Sequence, residues 1–241
     1  MESLKNTRFS RFESEILEIL KLTENVKHFK ISVPKNFNFI PGQYISIIMD
    51  DKEKNIKLRR PYSIISTIKN AKKGYIGLCI KILENGNITP LLDKLKKSDK
   101  IECLGPLGNF KINEESKNKD IIFISTGVGI APFMSMVPHL LEEVKSDKKI
   151  RLLTGYKLKN DILYGEELKN LEKKHKNFKY YTILSEESNG KNGRVQDLLK
   201  QHFDKNADYY ICGLKEMISA INIILLKKGI LGKNIYTEKY D

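Results

Sequence analysis

A cation, a flat aromatic ring and a hydroxyl stand within four residues at Arg60-Pro61-Tyr62-Ser63. Such a set can grip a phosphate, cover a planar ring and touch a reacting atom beside it. A second string, Ser125-Thr126-Gly127-Val128-Gly129-Ile130-Ala131-Pro132, sets two glycines ahead of a proline. Glycines there let the backbone approach a pyrophosphate, and a helix opening at Pro132 would turn its N–H groups toward that charge. Proline stands where a dinucleotide fingerprint has its third glycine, and taken alone the match equally fits a plain tight turn. Two nucleotide grips in one chain suggest hydride transfer between the groups they hold.

A third anion site is legible between them. Thr89 can cap a short helix, Pro90 suits its first position, and Leu91, Leu92 and Leu95 give it an apolar face. The turn Asn85-Gly86-Asn87 leaves that N-terminus open to an anion. The same pattern also describes a helix that merely closes the end of a barrel.

These residues need elements to place them. Short alternating or β-branched runs at Glu13–Leu22, Val26–Val33, Gln43–Met49, Tyr62–Ser66, Tyr75–Ile82 and Lys100–Leu104 predict six strands. Asn36, Pro41-Gly42, Asp50-Asp51 and Gly74 mark turns between them. Six strands with one helix predict a closed antiparallel barrel. The charged stretch Lys111–Asp120 reads as a junction, after which the period changes. Continuous apolar runs at Ile121–Ser125, Ile150–Thr154, Lys179–Ser185 and Tyr209–Cys212 predict buried strands. Helical patterns at Phe133–Val144, Ile162–Lys174, Val195–Phe203 and Lys215–Lys228 alternate with them. The expected fold is therefore two domains, a β-barrel with a capping helix over residues 1–112 and an α/β domain with a parallel sheet over 119–241.

Five motifs, taken in order, carry a resemblance over the chain from Phe12 onward. They are Arg60-Pro61-Tyr62-Ser63, Gly86-Asn87-Ile88-Thr89, Thr126-Gly127-Val128-Gly129-Ile130-Ala131-Pro132, Cys212-Gly213 and Glu238-Lys239-Tyr240. In order and spacing the chain resembles the ferredoxin–NADP reductase family. The resemblance implies that FAD and NAD(P)H are bound. Arg60 resembles the arginine on the flavin phosphates, Tyr62 the aromatic against the isoalloxazine ring, and Ser63 the hydroxyl beside the hydride-accepting nitrogen. Pro61, Gly86 and Ile88 belong to the matched flavin motifs, and Thr89 matches the hydroxyl that holds the pyrophosphate. Thr126, Gly127, Gly129 and Pro132 match the nicotinamide-nucleotide turn. Cys212, with Gly213 beside it, matches the cysteine packed near the nicotinamide. Glu238 resembles a carboxylate at the same spot, and Tyr240 an aromatic that shields the flavin's other face, followed here by Asp241 as in bacterial members. Ser63, Cys212 and Glu238 are the candidate catalytic groups. From the residues alone, the lesser readings are a barrel-core tyrosine for Tyr62, a solvated charge for Glu238 and a frayed tail for Tyr240.

One departure bears on the coenzyme. Where NADPH-using members have serine then arginine, this chain has Ser185-Glu186-Glu187. Carboxylates repel a phosphate dianion and accept hydrogen bonds from a ribose hydroxyl, so the reading leans to NADH. Lys157, Lys191 and Arg194 stand near enough in sequence to offer an alternative phosphate grip.

Composition bounds the rest. The 241 residues, 40% hydrophobic, suffice for one large or two ordinary domains. No apolar run reaches membrane-span length, and Met1-Glu2-Ser3-Leu4-Lys5-Asn6 lacks a signal-peptide stretch, so the expected compartment is the cytoplasm. Cys79, Cys103 and Cys212, and His28, His139, His175 and His202, form no metal or disulfide spacing, so no bound metal is expected. The formal charge of +13 comes mostly from dispersed lysines, a poor fit to nucleic-acid binding. It suits an acidic protein partner instead. The expected partner is a separate one-electron carrier, ferredoxin or flavodoxin. An NADH-dependent reductase of an oxygenase or cytochrome, or a free-flavin reductase, is the alternative within enzymes. A basic nucleic-acid-binding or flavin-sensing module without turnover is the alternative outside them.

Overall fold

The computed structural model describes residues 9–51, 54–187 and 192–240. They form two compact units. One comprises the chain up to Lys111 together with Ala131–His139; the other comprises Ile112–Ile130 and the chain from Leu140 onward.

The first unit is a six-stranded antiparallel sheet of β1 (Ser10–Lys21), β2 (Val26–Ser32), β3 (Tyr44–Asp51), β4 (Ile56–Ser63), β5 (Tyr75–Lys81) and β6 (Lys100–Leu107). The strand order is β4-β3-β6-β1-β2-β5. The two outermost strands approach where Ile64 bridges Leu78, so the sheet curls into a barrel. Phe29 and Ile31, Ile45 and Ile47, Ile76 with Leu78 and Ile80, and Ile101 with Cys103 alternate along their strands and fill the interior. Two short helices sit between strands: α1 (Ile68–Lys72), which lies between β4 and β5, and α2 (Thr89–Asp93), which lies between β5 and β6. The expected single helix is thus accompanied by α1, five residues long and too short to show a 3.6-residue period. The expected Tyr62–Ser66 strand lies earlier, at Ile56–Ser63, so Arg60 is within the strand. Pro61 fits there because β4 is a sheet edge, where a missing N–H costs no ladder bond.

The second unit is built on β7 (Ile121–Thr126), which turns through Gly127–Ile130 into α3 (Ala131–Pro138). After α3 come β8 (Ile150–Tyr156), α4 (Gly165–Lys174), β9 (Phe178–Leu184), α5 (Val195–His202), β10 (Asp208–Gly213), α6 (Lys215–Lys227) and β11 (Ile235–Lys239). α3 itself groups with the barrel. The helix expected over Phe133–Val144 is broken: Pro138 removes a backbone donor, and the chain continues as a wider π-helical turn over His139–Glu143. The five strands are parallel in the order β11-β10-β7-β8-β9. β7 and β10 are buried along nearly their whole length, as strands covered on both faces must be. On one face Val195, Leu198 and Leu199 of α5 and Met217, Ile218, Ile221 and Leu225 of α6 pack against Ile122, Ile124, Leu153, Tyr209 and Ile211. β11 is a strand the sequence did not announce, and it carries Glu238.

The segment leading into β7 is tied to β10 by a buried polar chain. Tyr210 donates to Ser116 at 2.8 Å and accepts from the Asn113 N–H at 3.0 Å. Ser116 donates to Asp208 at 2.7 Å, and Lys119 pairs with the same carboxylate at 3.0 Å. Asp208 is fully buried, whereas Lys119 is a third exposed, so breaking the pair costs less than for two buried charges. Asp208→Asn should lower the unfolding free energy by about 2 kcal/mol, read from urea denaturation; no change would mean that the network contributes nothing.

Burial pushes the Cys103 thiol up to about 12, and the Tyr209 and Tyr210 hydroxyls likewise. In the unfolded chain these groups lose protons from roughly pH 9 and 10 upward. Between those values the folded state binds more protons than the unfolded one, so stability falls as pH rises. Unfolding free energy should hold level from pH 7 to 8.5 and decline toward pH 12. Cys103→Ala should make the first part of that decline shallower, and an unchanged slope would refute the assignment.

Candidate nucleotide and flavin sites

In the barrel unit, Arg60 and Tyr62 stand opposite Ile47 and Ile45 of β3, on the core side of the edge strand. Pro61 and Ser63 stand opposite Ser46 and Tyr44, on the other side. Arg60 is exposed and donates to the Arg59 carbonyl at 3.0 Å. Tyr62 is half-buried against the barrel core, and burial raises its phenol well above the ordinary range while the Arg60 charge opposes the rise. Ser63 is buried. One strand therefore presents an exposed guanidinium, a ring partly withdrawn from water and a buried hydroxyl in succession, a set that fits a phosphate linked to a planar ring.

Thr89 does not cap α2; Ile88 holds that position and Thr89 is the first helical residue. Its hydroxyl instead closes the preceding loop, donating to the Leu83 carbonyl at 2.8 Å and accepting from the Leu83 N–H at 3.1 Å. Gly86 makes this possible, since a Cβ there would overlap the Thr89 oxygen. Gly86, Ile88 and Thr89 thus form one tight loop, with Ile88 buried. What the loop can offer an anion is backbone, because the Thr89 proton is already committed.

In the α/β unit, strand order marks the ligand position. From β7 the chain moves outward to β8 and β9, then returns to place β10 on the opposite side of β7. The crevice at the carboxyl ends of β7 and β10 is therefore the topological switch point, where open parallel sheets take their ligands. The turn Gly127–Ile130 leaves β7 there. Gly127 has φ +53° with open space where a side chain would be, which fits a ligand held by backbone. Gly129 is constrained from the protein side, because a Cβ would collide with the Cys212 carbonyl. Gly213, at φ +153°, faces Thr126: its Cβ would lie 2.8 Å from the Thr126 hydroxyl and 2.6 Å from Met217 Cε. Pro132 is the second residue of α3, one place later than a first helical position.

Register then assembles the candidate catalytic groups of this unit. Ser125, Cys212 and Glu238 are neighbours across β7, β10 and β11. The Tyr240 N–H extends the pairing by donating to the Gly213 carbonyl at 3.0 Å, and its side chain hydrogen-bonds Cys212. Burial, assisted by the Glu238 charge, holds the Cys212 thiol well above its ordinary range, so it is a neutral packing group, not a thiolate. Ser125 is fully buried with no hydrogen-bond partner among the described residues, an orphaned hydroxyl beneath this corner. Ser125 heads the glycine string in the sequence but draws no role there, because it reads as the end of an apolar strand run.

At the carboxyl ends of β8 and β9, the Ser185 and Glu186 N–H groups donate to the Tyr156 and Lys157 carbonyls, each at 3.0 Å. The Lys157 ammonium pairs with Glu186 at 3.0 Å, and Glu187 accepts from the Lys159 N–H at 3.2 Å. The Arg194 N–H donates to Asp197 at 3.0 Å. Lys191 lies outside the described residues, as do Asp241 and the first eight residues.

Residues 13–112 match the family model of the oxidoreductase FAD-binding domain, and residues 123–222 that of the oxidoreductase NAD-binding domain. The reductase component of phenol 2-monooxygenase from Pseudomonas sp. (strain CF600) is 27% identical over 240 residues, covering 95% of this chain but 65% of its own length. NADH-cytochrome b5 reductase 1 from Dictyostelium discoideum is 27% identical over 235 residues, covering 92% of this chain and 80% of its own. Ferredoxin-NADP+ reductase from Plasmodium falciparum, solved with 2'P-AMP, superposes with a TM-score of 0.80 at 25% identity, over 95% of this chain and 96% of that one. With an antiparallel FAD-binding barrel followed by a parallel NAD-binding unit, the chain belongs to the ferredoxin–NADP reductase family of flavin-dependent oxidoreductases.

Proposed function

We propose that the protein oxidises NADH and passes the electrons singly to a separate carrier protein. The observation that carries this reading is the Cys212–Glu238–Tyr240 corner at the switch point, a neutral sulfur, a carboxylate and an aromatic set beside a turn built for a nucleotide. Bound FAD would supply a ring able to exchange a hydride with nicotinamide and single electrons with a carrier. The protein's part is positioning. Arg60 fixes the flavin phosphates, Tyr62 covers the ring, and Ser63 offers a hydroxyl to its reacting edge. The backbone of Gly127 and Gly129 takes the nicotinamide-nucleotide phosphates, with Pro132 and Thr126 shaping the turn. Cys212 packs against the nicotinamide without ionising, and Glu238 polarises it. Tyr240 covers the place the nicotinamide takes and moves aside for it.

The excess of lysine favours an acidic carrier such as a ferredoxin or flavodoxin. A second reading, an NADH-dependent reductase serving an oxygenase or a cytochrome, is favoured by the names of two of the relatives and by Glu186. The two readings differ in the acceptor alone. Purified protein should be yellow and bleach anaerobically with NADH, and titration with ferredoxin, flavodoxin and cytochrome b5 should identify which one accelerates reoxidation. Protein that binds flavin but is never bleached by NADH or NADPH would defeat both readings.

Two substitutions probe the sites separately. Arg60→Ala should weaken FAD binding roughly tenfold to a hundredfold, the scale of one charge-assisted hydrogen bond, measured as flavin retained after dialysis; full retention would remove Arg60 from the site. Glu186→Arg should shift the ratio of kcat/KM for NADPH over NADH upward by at least tenfold. A wild-type preference for NADPH by more than about a hundredfold would refute the NADH assignment.

A further inference from the structure

Glu238, Cys212, Ser125, Thr154 and Thr182 are register neighbours across β11, β10, β7, β8 and β9 in turn. Side chains alternate along a strand, so these five share one face of the sheet. It is the face away from α5 and α6, toward which Ile124, Leu153 and Ile211 point instead. Two residues earlier the same face carries Tyr236, Tyr210, Phe123, Leu152 and Tyr180, with Tyr210 stacked on Tyr236 at 4.5 Å between centroids. An aromatic layer thus gives way to a polar row at the carboxyl ends of the strands, two residues before Gly127. The neighbours of Ser125 in that row are already engaged. Thr154 and Thr182 share a hydrogen bond at 3.0 Å, and Thr154 also donates to the Tyr181 carbonyl at 3.3 Å. Cys212 is hydrogen-bonded by the Tyr240 side chain. The Ser125 hydroxyl, at zero exposure, has no partner among the described residues. In the free protein alanine would cost less there than a buried hydroxyl left unsatisfied.

We propose that Ser125 is a binding residue for the nicotinamide ring, donating its hydroxyl hydrogen to the oxygen of the ring's carboxamide. This rests on the nicotinamide role proposed above for the Cys212–Glu238–Tyr240 corner. A primary amide presents an acceptor oxygen and two donor hydrogens. Glu238, a carboxylate, can meet only the donors, and the Cys212 thiol is a weak donor. Ser125 supplies the missing donor from the strand next to Cys212. Tyr240 opens the row to the ring as it leaves the sulfur. The hydroxyl then has its partner only while coenzyme is bound, and it fixes which way the carboxamide is turned.

The test is calorimetric binding of NAD+ and of ADP-ribose, which lacks the nicotinamide, to the flavin-loaded protein. A Tyr240→Ala parent is used, so that the side chain proposed to cover the nicotinamide's place is absent. Adding Ser125→Ala should weaken NAD+ binding at least tenfold, about 1.4 kcal/mol, and leave ADP-ribose binding unchanged. Its Tm should equal or exceed that of the parent, because the hydroxyl removed has no partner in the free protein. Equal weakening of both ligands, no weakening of NAD+, or a Tm lower by several degrees would overturn the proposal. A parent that binds NAD+ no more tightly than ADP-ribose would instead overturn the placing of nicotinamide at this corner, so the two failures are distinguishable.

Discussion

The Cys212 carbonyl lies where a side chain on Gly129 would have to be, and the organisation of the α/β unit depends on that approach. It brings the end of β10 against the turn leaving β7, so the strand bearing Cys212 and the turn proposed to hold phosphate become one corner. Gly213 permits the same approach from the other strand, with Thr126 filling the space that its missing side chain leaves. β11 then completes the corner, because pairing Glu238 with Cys212 and Lys239 with Gly213 sets the carboxylate beside the sulfur with no loop to position it. A larger residue at either glycine would separate the candidate catalytic groups without altering any of them.

The barrel unit solves a different problem, gripping a ligand from a sheet edge. Edge strands expose unpaired backbone, yet the proposed flavin grip needs β4 to hold three side chains in fixed relation. Pairing along all eight residues to β3, and burial of Tyr62 against the core, supply that rigidity on one side. The other side stays open. The short loop before α2 is braced from within, through a threonine whose hydroxyl serves the loop's own backbone.

The sequence disclosed what period and turn chemistry can encode. Barrel strands showed as Phe29/Ile31 and Ile76/Leu78/Ile80, and the parallel strands as unbroken apolar runs, because burial on one face or two leaves those signatures. The glycine turn and the arginine–tyrosine–serine string were visible because their chemistry is local. β4 was placed late because Lys57, Arg59 and Arg60 give an exposed edge no apolar alternation to read. β11 was missed since Ile-Tyr-Thr-Glu-Lys is half exposed and gains its strand character only from β10. Thr89 looked like a cap because nothing local reveals that Leu83 competes for its hydroxyl. The hydrogen bond from the Gly42 N–H to Ser135 of α3 was invisible for the same reason, magnified: a contact spanning 93 residues leaves no periodic trace.

The edge position of β4 has one more result. A bare edge strand is a template on which another molecule's strand can pair, the first step of uncontrolled aggregation. Here the outer rim carries Lys57, Arg59 and Arg60 together with Pro61, which lacks the donor that a new ladder would need. Arg60, the residue proposed to grip the flavin phosphates, is therefore also one of those that keep the sheet from growing. On the role proposed for Arg60, drift at this strand is constrained twice over, by ligand affinity and by colloidal behaviour, and an apolar replacement tolerable on the first count would still be disfavoured on the second.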